Sequence, residues 1–233
     1  MKNAEQTQNK VQNNHRTWQL VLLITVLPYY FISCLYSAMF DEILKKMDEA
    51  DSKIADVSFS FIQEILVTIT QEKSAITGTA VFKKPDMFKI EHSKPEKQVV
   101  ISDGKKVFFY QKEFNQVIID DWESLSETGN FPKGIFNFSS TITGLTKNYN
   151  ISLLDDEEKY YVLVLELKEK QLQNTKIQLW ISKETYLCEK TEIKTDTVVS
   201  TVTISDVKIN KNIKDSIFKF KIPKGTQIIT FPF

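Results

Sequence analysis

The stretch FKKPDMFKIEHSKPEKQVVISDGKKVFFYQKEFNQV, residues 82–117, decides the fold class of this chain. Runs of β-branched and aromatic residues are separated by Pro85, by Pro95 and by the dipeptide Asp103-Gly104. Asp-Gly between two apolar runs favours a β-hairpin, because both central residues of a type I′ turn need a positive φ. The stretch therefore predicts consecutive antiparallel strands with a turn at each break.

The same pattern continues on both sides of this stretch. Apolar runs between polar turns predict strands over residues 57–70, 79–83, 88–92, 98–102, 105–110, 116–120, 149–154, 160–168, 175–182, 185–194 and 198–210. Residues 71–77 are polar and are expected to form a turn. The result is a mainly β (α+β) domain with an antiparallel sheet of roughly ten strands. A sheet of that width would have to curl.

Helical patterns occur at two places. Apolar residues recur with i, i+3, i+4 and i+7 spacing at Phe40, Ile43, Leu44 and Met47, and Ile54 and Val57 extend this face. This spacing predicts an amphipathic helix packed on the sheet. Residues 123–147 mix Ser, Thr, Gly and Asn with apolar side chains and predict short helices or a mobile segment with an apolar face. One apolar face of the sheet is therefore expected to be partly covered by helices.

Residues 1–38 resemble a targeting segment. A polar, slightly basic start is followed by an apolar run over residues 18–38, which Pro28 interrupts. This pattern predicts a signal peptide or, since about 20 uncharged residues can span a bilayer, a retained membrane anchor. Cys34 is either part of a discarded peptide or an acylated residue in a poor lipoprotein signal box. Residues 39–233 then form one β domain.

Composition and titratable residues exclude several function classes. Basic and acidic residues are equal in number, at 30 each, which argues against a nucleic-acid binder. Apart from His15 in the leader, the only histidine is His92, which is expected at the surface. Asp120 and Asp121 are adjacent and would face opposite sides of a strand. The sequence thus offers no catalytic constellation, no metal site and no cofactor motif.

Cys188 is the only cysteine of the predicted mature domain. It cannot form an internal disulfide there. Its strand-like surroundings indicate a small buried or half-buried side chain.

Short motifs occur along the chain in a particular order. They are Phe61-Ile62-Gln63, Phe82-Lys83-Lys84-Pro85, Phe88, Lys94-Pro95, the run from Gln98 to Gly104, Phe108-Phe109-Tyr110, Asn115-Gln116-Val117 and the run from Phe218 to Gly225. Their order and spacing, over nearly all of residues 39–233, resemble the LolA family of periplasmic outer-membrane lipoprotein carrier proteins.

The resemblance implies a curved, incomplete antiparallel β-barrel of roughly ten or eleven strands, with helices as a lid over an apolar cavity. It implies a periplasmic monomer that binds acyl chains of lipoproteins. A transporter in the inner membrane would release these lipoproteins, and an acceptor in the outer membrane would receive them. Each buried CH₂ contributes about 0.8 kcal/mol, so exposed acyl chains need a carrier. A lid that closes over the empty cavity would compete with them and permit release.

The resemblance also assigns site residues. Cavity candidates are Phe82, Phe88, Ile90, Val100, Phe109 and Trp122, and each is otherwise a plain core residue. Lid candidates are Phe136 and Phe138. Lys84 stands where the family has an arginine that ties the lid shut. It either donates to lid carbonyls or is a solvated charge at a strand end. The family's aromatic residue is missing at Ile90.

Two other function classes stay open. An anchored structural or interaction protein of the same fold would keep its leader or acylate Cys34, and it would bind a partner at a sheet edge. An enzyme would need a nucleophile–base pair, which the sequence does not reveal.

Overall fold

A computed structural model describes residues 39–122, 142–168 and 175–230 of the chain. The chain divides into two compact units, Met1–Leu44 and Lys45–Phe233. The described residues 39–44 of the first unit are helical, in agreement with the predicted amphipathic helix. The expected leader, residues 1–38, lies outside the described residues. No helix in the described ranges is long and apolar enough to cross a membrane.

The second unit begins with the last part of a helix, residues 45–52, which we call α1, and is otherwise mainly β. Its strands are β1 (Asp56–Val67), β2 (Glu72–Lys83), β3 (Met87–Lys94), β4 (Gln98–Asp103), β5 (Lys106–Gln111), β6 (Gln116–Asp121), β7 (Tyr149–Asp156), β8 (Tyr160–Leu167), β9 (Lys176–Ser182), β10 (Cys188–Lys194), β11 (Val198–Ile209) and β12 (Gln227–Thr230). Helix α2 (Ile142–Asn148) precedes β7, and a 3₁₀ helix (Asp215–Phe218) follows β11.

The twelve strands form one open sheet. Its order is β12-β6-β5-β4-β3-β2-β1-β11-β10-β9-β8-β7. Two antiparallel meanders, β1–β6 and β7–β11, join where β1 pairs with β11 along most of its length. Among the described strands, only β12 pairs in parallel, with β6. Within the described chain β7 and β12 are the edges, so the barrel is incomplete, as expected.

Strand alternation separates the two faces of this sheet. Phe82 is directly opposite Phe88, and Ile90 is opposite Val100. These four residues define what we call the core face, because side chains that are paired across strands lie on the same side. All four are buried.

The other face, the outer face, is covered near β3 to β5 by the chain after β11. The 3₁₀ helix packs on β3 and β4 and carries Phe218, which is fully buried. Phe220 contacts Phe108 and Tyr110 on β5, with ring centroids 5.5 Å and 5.4 Å away. The motif near the C-terminus therefore closes the outside of the sheet and takes no part in the core face.

Several local predictions were wrong. The sheet has twelve strands instead of ten or eleven, because the short β12 was not predicted. Residues 72–77 continue β2, since the β1–β2 hairpin extends into solvent where polar side chains face water. Val57 belongs to β1 and does not extend a helix.

The hairpin at Asp103-Gly104 is confirmed, but its turn type is not. Of the two residues only Gly104 has a positive φ, of 88°. The Asp103 side chain instead accepts hydrogen bonds from the backbone N–H groups of Lys105 and Lys106, at 2.9 Å and 2.8 Å. This Asx-type geometry stabilises the turn without a left-handed aspartate.

Candidate functional site

The six cavity candidates lie together on the core face. Phe82, Phe88, Ile90 and Val100 belong to one apolar cluster, and Phe109 and Trp122 pack against it. We call this the core cluster; its buried members are Ile54, Val57, Phe59, Phe61, Ala80, Phe82, Phe88, Ile90, Val100, Val107 and Val202. The remaining candidates, Phe136 and Phe138, lie outside the described residues.

Aromatic rings form a continuous row through this cluster. Phe59 stacks on Phe82 with ring centroids 5.8 Å apart, and Phe82 lies 6.0 Å from Phe88. Phe88 meets Trp122 edge to face at 5.4 Å. The backbone N–H of Trp122 donates to the Lys105 carbonyl at 2.9 Å, which holds the end of the row against the β4–β5 turn. Such rings bury large apolar areas per residue.

Seven of the eleven buried members of the core cluster were not cavity candidates from the sequence. Val57, Phe59 and Phe61 alternate along β1 and face the same side as Phe82, so strand periodicity could have identified them. Val202 could not be found in this way. It joins the cluster because β11 pairs with β1, which is a contact between residues far apart in sequence.

Because Gly78 has no side chain, the Phe61 ring can pack directly against the β2 backbone at this position. A Cβ atom at this position would be 2.3 Å from the Glu91 carbonyl oxygen and 2.7 Å from Phe61 Cζ. Phe61 also meets His92 edge to face, with centroids 5.9 Å apart. His92 is half-buried here, which corrects its predicted surface position. Burial lowers the pKa of His92 from 6.5, and a hydrogen bond with Gln98 opposes this shift.

Lys84 contacts the end of helix α1. Its Nζ atom donates to the Asp51 carbonyl oxygen at 2.7 Å and to Asp51 Oδ2 at 2.8 Å. Its backbone N–H donates to the Ala55 carbonyl at 2.9 Å. The Lys84 ammonium thus donates to a carbonyl group at the end of a helix and pairs with the carboxylate of the same residue.

A second contact joins α1 to the turn between β9 and β10. Lys46 Nζ donates to the Tyr186 hydroxyl at 3.2 Å and lies 5.1 Å from the centre of its ring. Tyr186 has a φ of 57°, which is rare for a bulky residue. Tyr186 in turn stacks on Tyr161, with centroids 6.2 Å apart. Together Lys84 and Tyr186 hold α1 against two turns at the same end of the sheet.

The segment between α1 and β1 is fixed by side chains that bond to backbone groups. The buried carboxylate of Asp56 accepts from the backbone N–H groups of Lys211 and Ile213, at 2.7 Å and 3.2 Å. The Asn210 amide accepts from the Ala55 N–H and donates to the Lys53 carbonyl, both at 2.7 Å. Asp56 therefore has a structural role, as a carboxylate satisfied by backbone donors.

Few groups in the described chain have altered acid–base chemistry. Cys188 is half-buried, as predicted, and its sulfur contacts the Lys190 carbonyl oxygen and the Thr191 hydroxyl. Burial raises the pKa of the Cys188 thiol, so it stays protonated and unreactive near neutral pH. No group of three His, Cys, Asp or Glu residues in the described ranges could hold a metal ion.

Known proteins of similar sequence and fold agree with this architecture. The outer-membrane lipoprotein carrier protein of Pasteurella multocida is 25% identical over 215 residues, which cover 90% of this chain and 96% of that protein. An uncharacterized protein of Methanocaldococcus jannaschii is 26% identical over 91% of this chain and 60% of its own length.

Among solved structures, an uncharacterized conserved protein from Thermus thermophilus has the same fold, with a TM-score of 0.53 at 14% identity over 83% of this chain and 99% of that one. The profile of the family described as "Outer membrane lipoprotein carrier protein LolA" matches residues 52–221. That match includes the whole of β1 to β11 and every buried member of the core cluster. The chain therefore belongs to the LolA family of outer-membrane lipoprotein carrier proteins.

Proposed function

We propose that this protein carries lipoproteins through the periplasm by holding their acyl chains against the core cluster. The observation that supports this most is that all six cavity candidates lie on one face of the sheet. Three of them also belong to the row of four aromatic rings on that face. Family membership supplies the class of cargo. The inner-membrane transporter that releases the lipoprotein and the outer-membrane acceptor that receives it are part of the same proposal.

Binding would require the core cluster to open. Its members are at most 9% exposed, so their side chains now contact one another and their covering residues. An acyl chain that enters must replace these contacts, and the net affinity is the difference between the two sets. Each CH₂ of the chain contributes about 0.8 kcal/mol, and the loss of the internal contacts offsets part of this gain, so we expect a moderate affinity. Moderate affinity suits a carrier that must also release its cargo.

Helix α1 is the described element that would act as part of the lid. Lys84 holds its end through two hydrogen bonds, one of them an ion pair in which the side chains are 31% and 22% exposed. We use the name latch for this Lys84–Asp51 contact. A lysine has one rotating ammonium group, whereas an arginine offers a rigid fork of donors, so this latch is weaker than the arginine of the family would be. We infer that the latch favours the closed state and so promotes release.

A transfer assay tests the carrier function. Inner-membrane vesicles that hold a labelled lipoprotein and its releasing transporter are incubated with the purified protein and then sedimented. The proposal predicts that labelled lipoprotein appears in the supernatant as a one-to-one complex and later sediments with outer-membrane vesicles. If the lipoprotein stays in the pellet with the transporter active, the carrier proposal fails.

A membrane-attached protein of the same fold is the second candidate. The apolar run over residues 18–38 and the cysteine at position 34 favour it. Intact mass and N-terminal sequence of the protein isolated from its own cells separate the two. A free N-terminus near residues 37–40 supports the soluble carrier. An acylated Cys34 or an intact leader supports a membrane-bound acceptor or interaction protein.

A further inference from the structure

Glutamines form a row across one end of the core face. Gln98 on β4 is paired with Gln111 on β5, Gln111 with Gln116 on β6, and Gln116 with Gln227 on β12. Because these residues are cross-strand partners in register, their side chains lie on one face. Gln98 and Gln111 are each two residues from Val100 and Phe109 respectively, so that face is the core face. We call these four residues the amide row.

One hydrogen bond joins two members of the amide row, and three of its four members are partly withdrawn from solvent. Gln116 Nε2 donates to Gln227 Oε1 at 2.8 Å. Gln98 hydrogen-bonds the half-buried His92 on the neighbouring strand. Gln98, Gln111 and Gln116 are half-buried, and Gln227 is exposed. Each amide has two N–H donors and an oxygen with two lone pairs, so one partner leaves donors for a ligand.

The row lies at the end of the sheet opposite to the latch. Along β4 the chain runs four residues from Ser102, beside Phe88, to Gln98. At about 3.4 Å per residue this is a span of roughly 14 Å. One acyl chain fills half of a bilayer core of about 30 Å, or roughly 15 Å. A chain whose methyl end reaches the Phe82–Phe88 pair would therefore place its carbonyl end at the amide row.

Charge around the row does not favour an ionic headgroup. The turns next to it carry charges of both signs on exposed side chains: Lys94, Glu96, Lys97, Lys112 and Glu113. The core-face positions of the row itself are neutral amides. Amide N–H groups donate well to ester and amide carbonyl oxygens, and such bonds cost little to break when cargo leaves.

We propose that the amide row binds the carbonyl oxygens at the neutral ester and amide linkages of an acylated ligand whose chains lie on the core cluster. This proposal rests on the proposed carrier function and adds the part of the cargo that is recognised. It assigns hydrogen bonds to the linkage region, whereas the chains contribute apolar contact alone.

The test compares two synthetic lipopeptides of equal chain length. One carries the diacylglyceryl ester linkage, and the other carries ether linkages that lack the carbonyl oxygens. Dissociation constants of both ligands are measured for the full-length protein and for two variants. The first is the double variant Gln98→Met/Gln111→Met. The second is Gln111→Glu, which replaces the N–H donors of the amide with acceptors. Gln178→Met is the matched control, because Gln178 is a half-buried glutamine on the outer face of β9. Circular dichroism and thermal melting check that each variant is folded.

We expect the full-length protein and the control to bind the ester ligand about fivefold to tenfold more tightly than the ether ligand. Both amide-row variants should lose this preference and keep the affinity for the ether ligand. Equal binding of the two ligands by the unaltered protein, or an unchanged preference in the variants, would overturn the amide-row proposal alone. Failure to bind either ligand would overturn the carrier function itself.

Discussion

The ammonium group of Lys84 lies 2.8 Å from the Asp51 carboxylate and 2.7 Å from the Asp51 carbonyl oxygen, so the β2–β3 turn is bonded to the end of α1. A lysine at this position can hold a helix end with two donors. Unlike arginine, lysine has no planar guanidinium group that would fix the directions of both hydrogen bonds at once.

Replacement of Lys84 by Met should strengthen cargo binding and slow its release. The closed state loses the latch, so acyl chains compete with fewer internal contacts. We expect affinity for a fluorescent acylated ligand to rise about threefold to tenfold, and transfer to acceptor vesicles to slow by a similar factor. Fluorescence titration and a transfer time course measure the two effects.

Lys83→Met is the matched control for the latch variant. Lys83 is the neighbouring residue and also forms an ion pair, but with Asp215 on the 3₁₀ helix, which packs on β3 and β4. It should leave ligand affinity unchanged. Equal effects of the two substitutions would contradict a specific role for the Lys84–Asp51 contact.

Gly78→Ala should destabilise the second unit. The added methyl group would lie 2.3 Å from the Glu91 carbonyl oxygen and 2.7 Å from the Phe61 ring, so β3 or Phe61 must move. Overpacking of this kind costs about 1–3 kcal/mol. Urea denaturation measures the free energy of unfolding. Thr79→Ala, at the exposed position next to it, is the control and should change stability by less than about 0.5 kcal/mol.

Stability should fall in mild acid because of His92. Burial lowers the pKa of this histidine in the folded protein below the 6.5 of the unfolded chain. The unfolded state therefore binds more protons below pH 6.5, and the free energy of unfolding decreases as the pH drops through that value. Urea denaturation between pH 7.5 and 5 should show this decrease, and His92→Gln should flatten it. An equally steep profile in the variant would assign the effect to other groups.

Cys188 should react slowly with thiol reagents in the folded protein. Burial raises the pKa of the thiol, so little thiolate is present at pH 8. In a Cys34→Ser background, a colorimetric disulfide reagent should label Cys188 slowly in buffer and quickly in urea. Rapid labelling of the folded protein would show that the β10 strand is open to solvent.

The hairpins of the sheet were predictable because their signals are local. Asp103-Gly104, Pro85 and Pro95 each mark a chain reversal within a few residues of the strands that they join. Along β3, Phe88 and Ile90 alternate with Lys89 and Glu91, which is the pattern of a strand with one buried face. Register follows from such patterns, because a slip by one residue would turn every apolar side chain to the wrong side.

The remaining features depend on contacts between distant residues. β12 has four residues and is defined by parallel pairing with β6, more than 100 positions earlier. Asp51 could not be identified as the partner of Lys84, since it is one of several carboxylates in the sequence around the end of α1. The amide row became visible only when the register of β4, β5, β6 and β12 was known.

The central claim is that acyl chains lie on the core face. A lipoprotein whose acyl chains carry a photoreactive diazirine can be loaded, irradiated and digested, and the attached residues identified by mass spectrometry. Neighbouring residues on β5 distinguish the faces, because Phe109 packs on the core cluster while Phe108 and Tyr110 pack on Phe220. We predict adducts at Phe109, Val100 and Trp122. Adducts confined to Phe108, Tyr110 and the rest of the outer face would contradict the account.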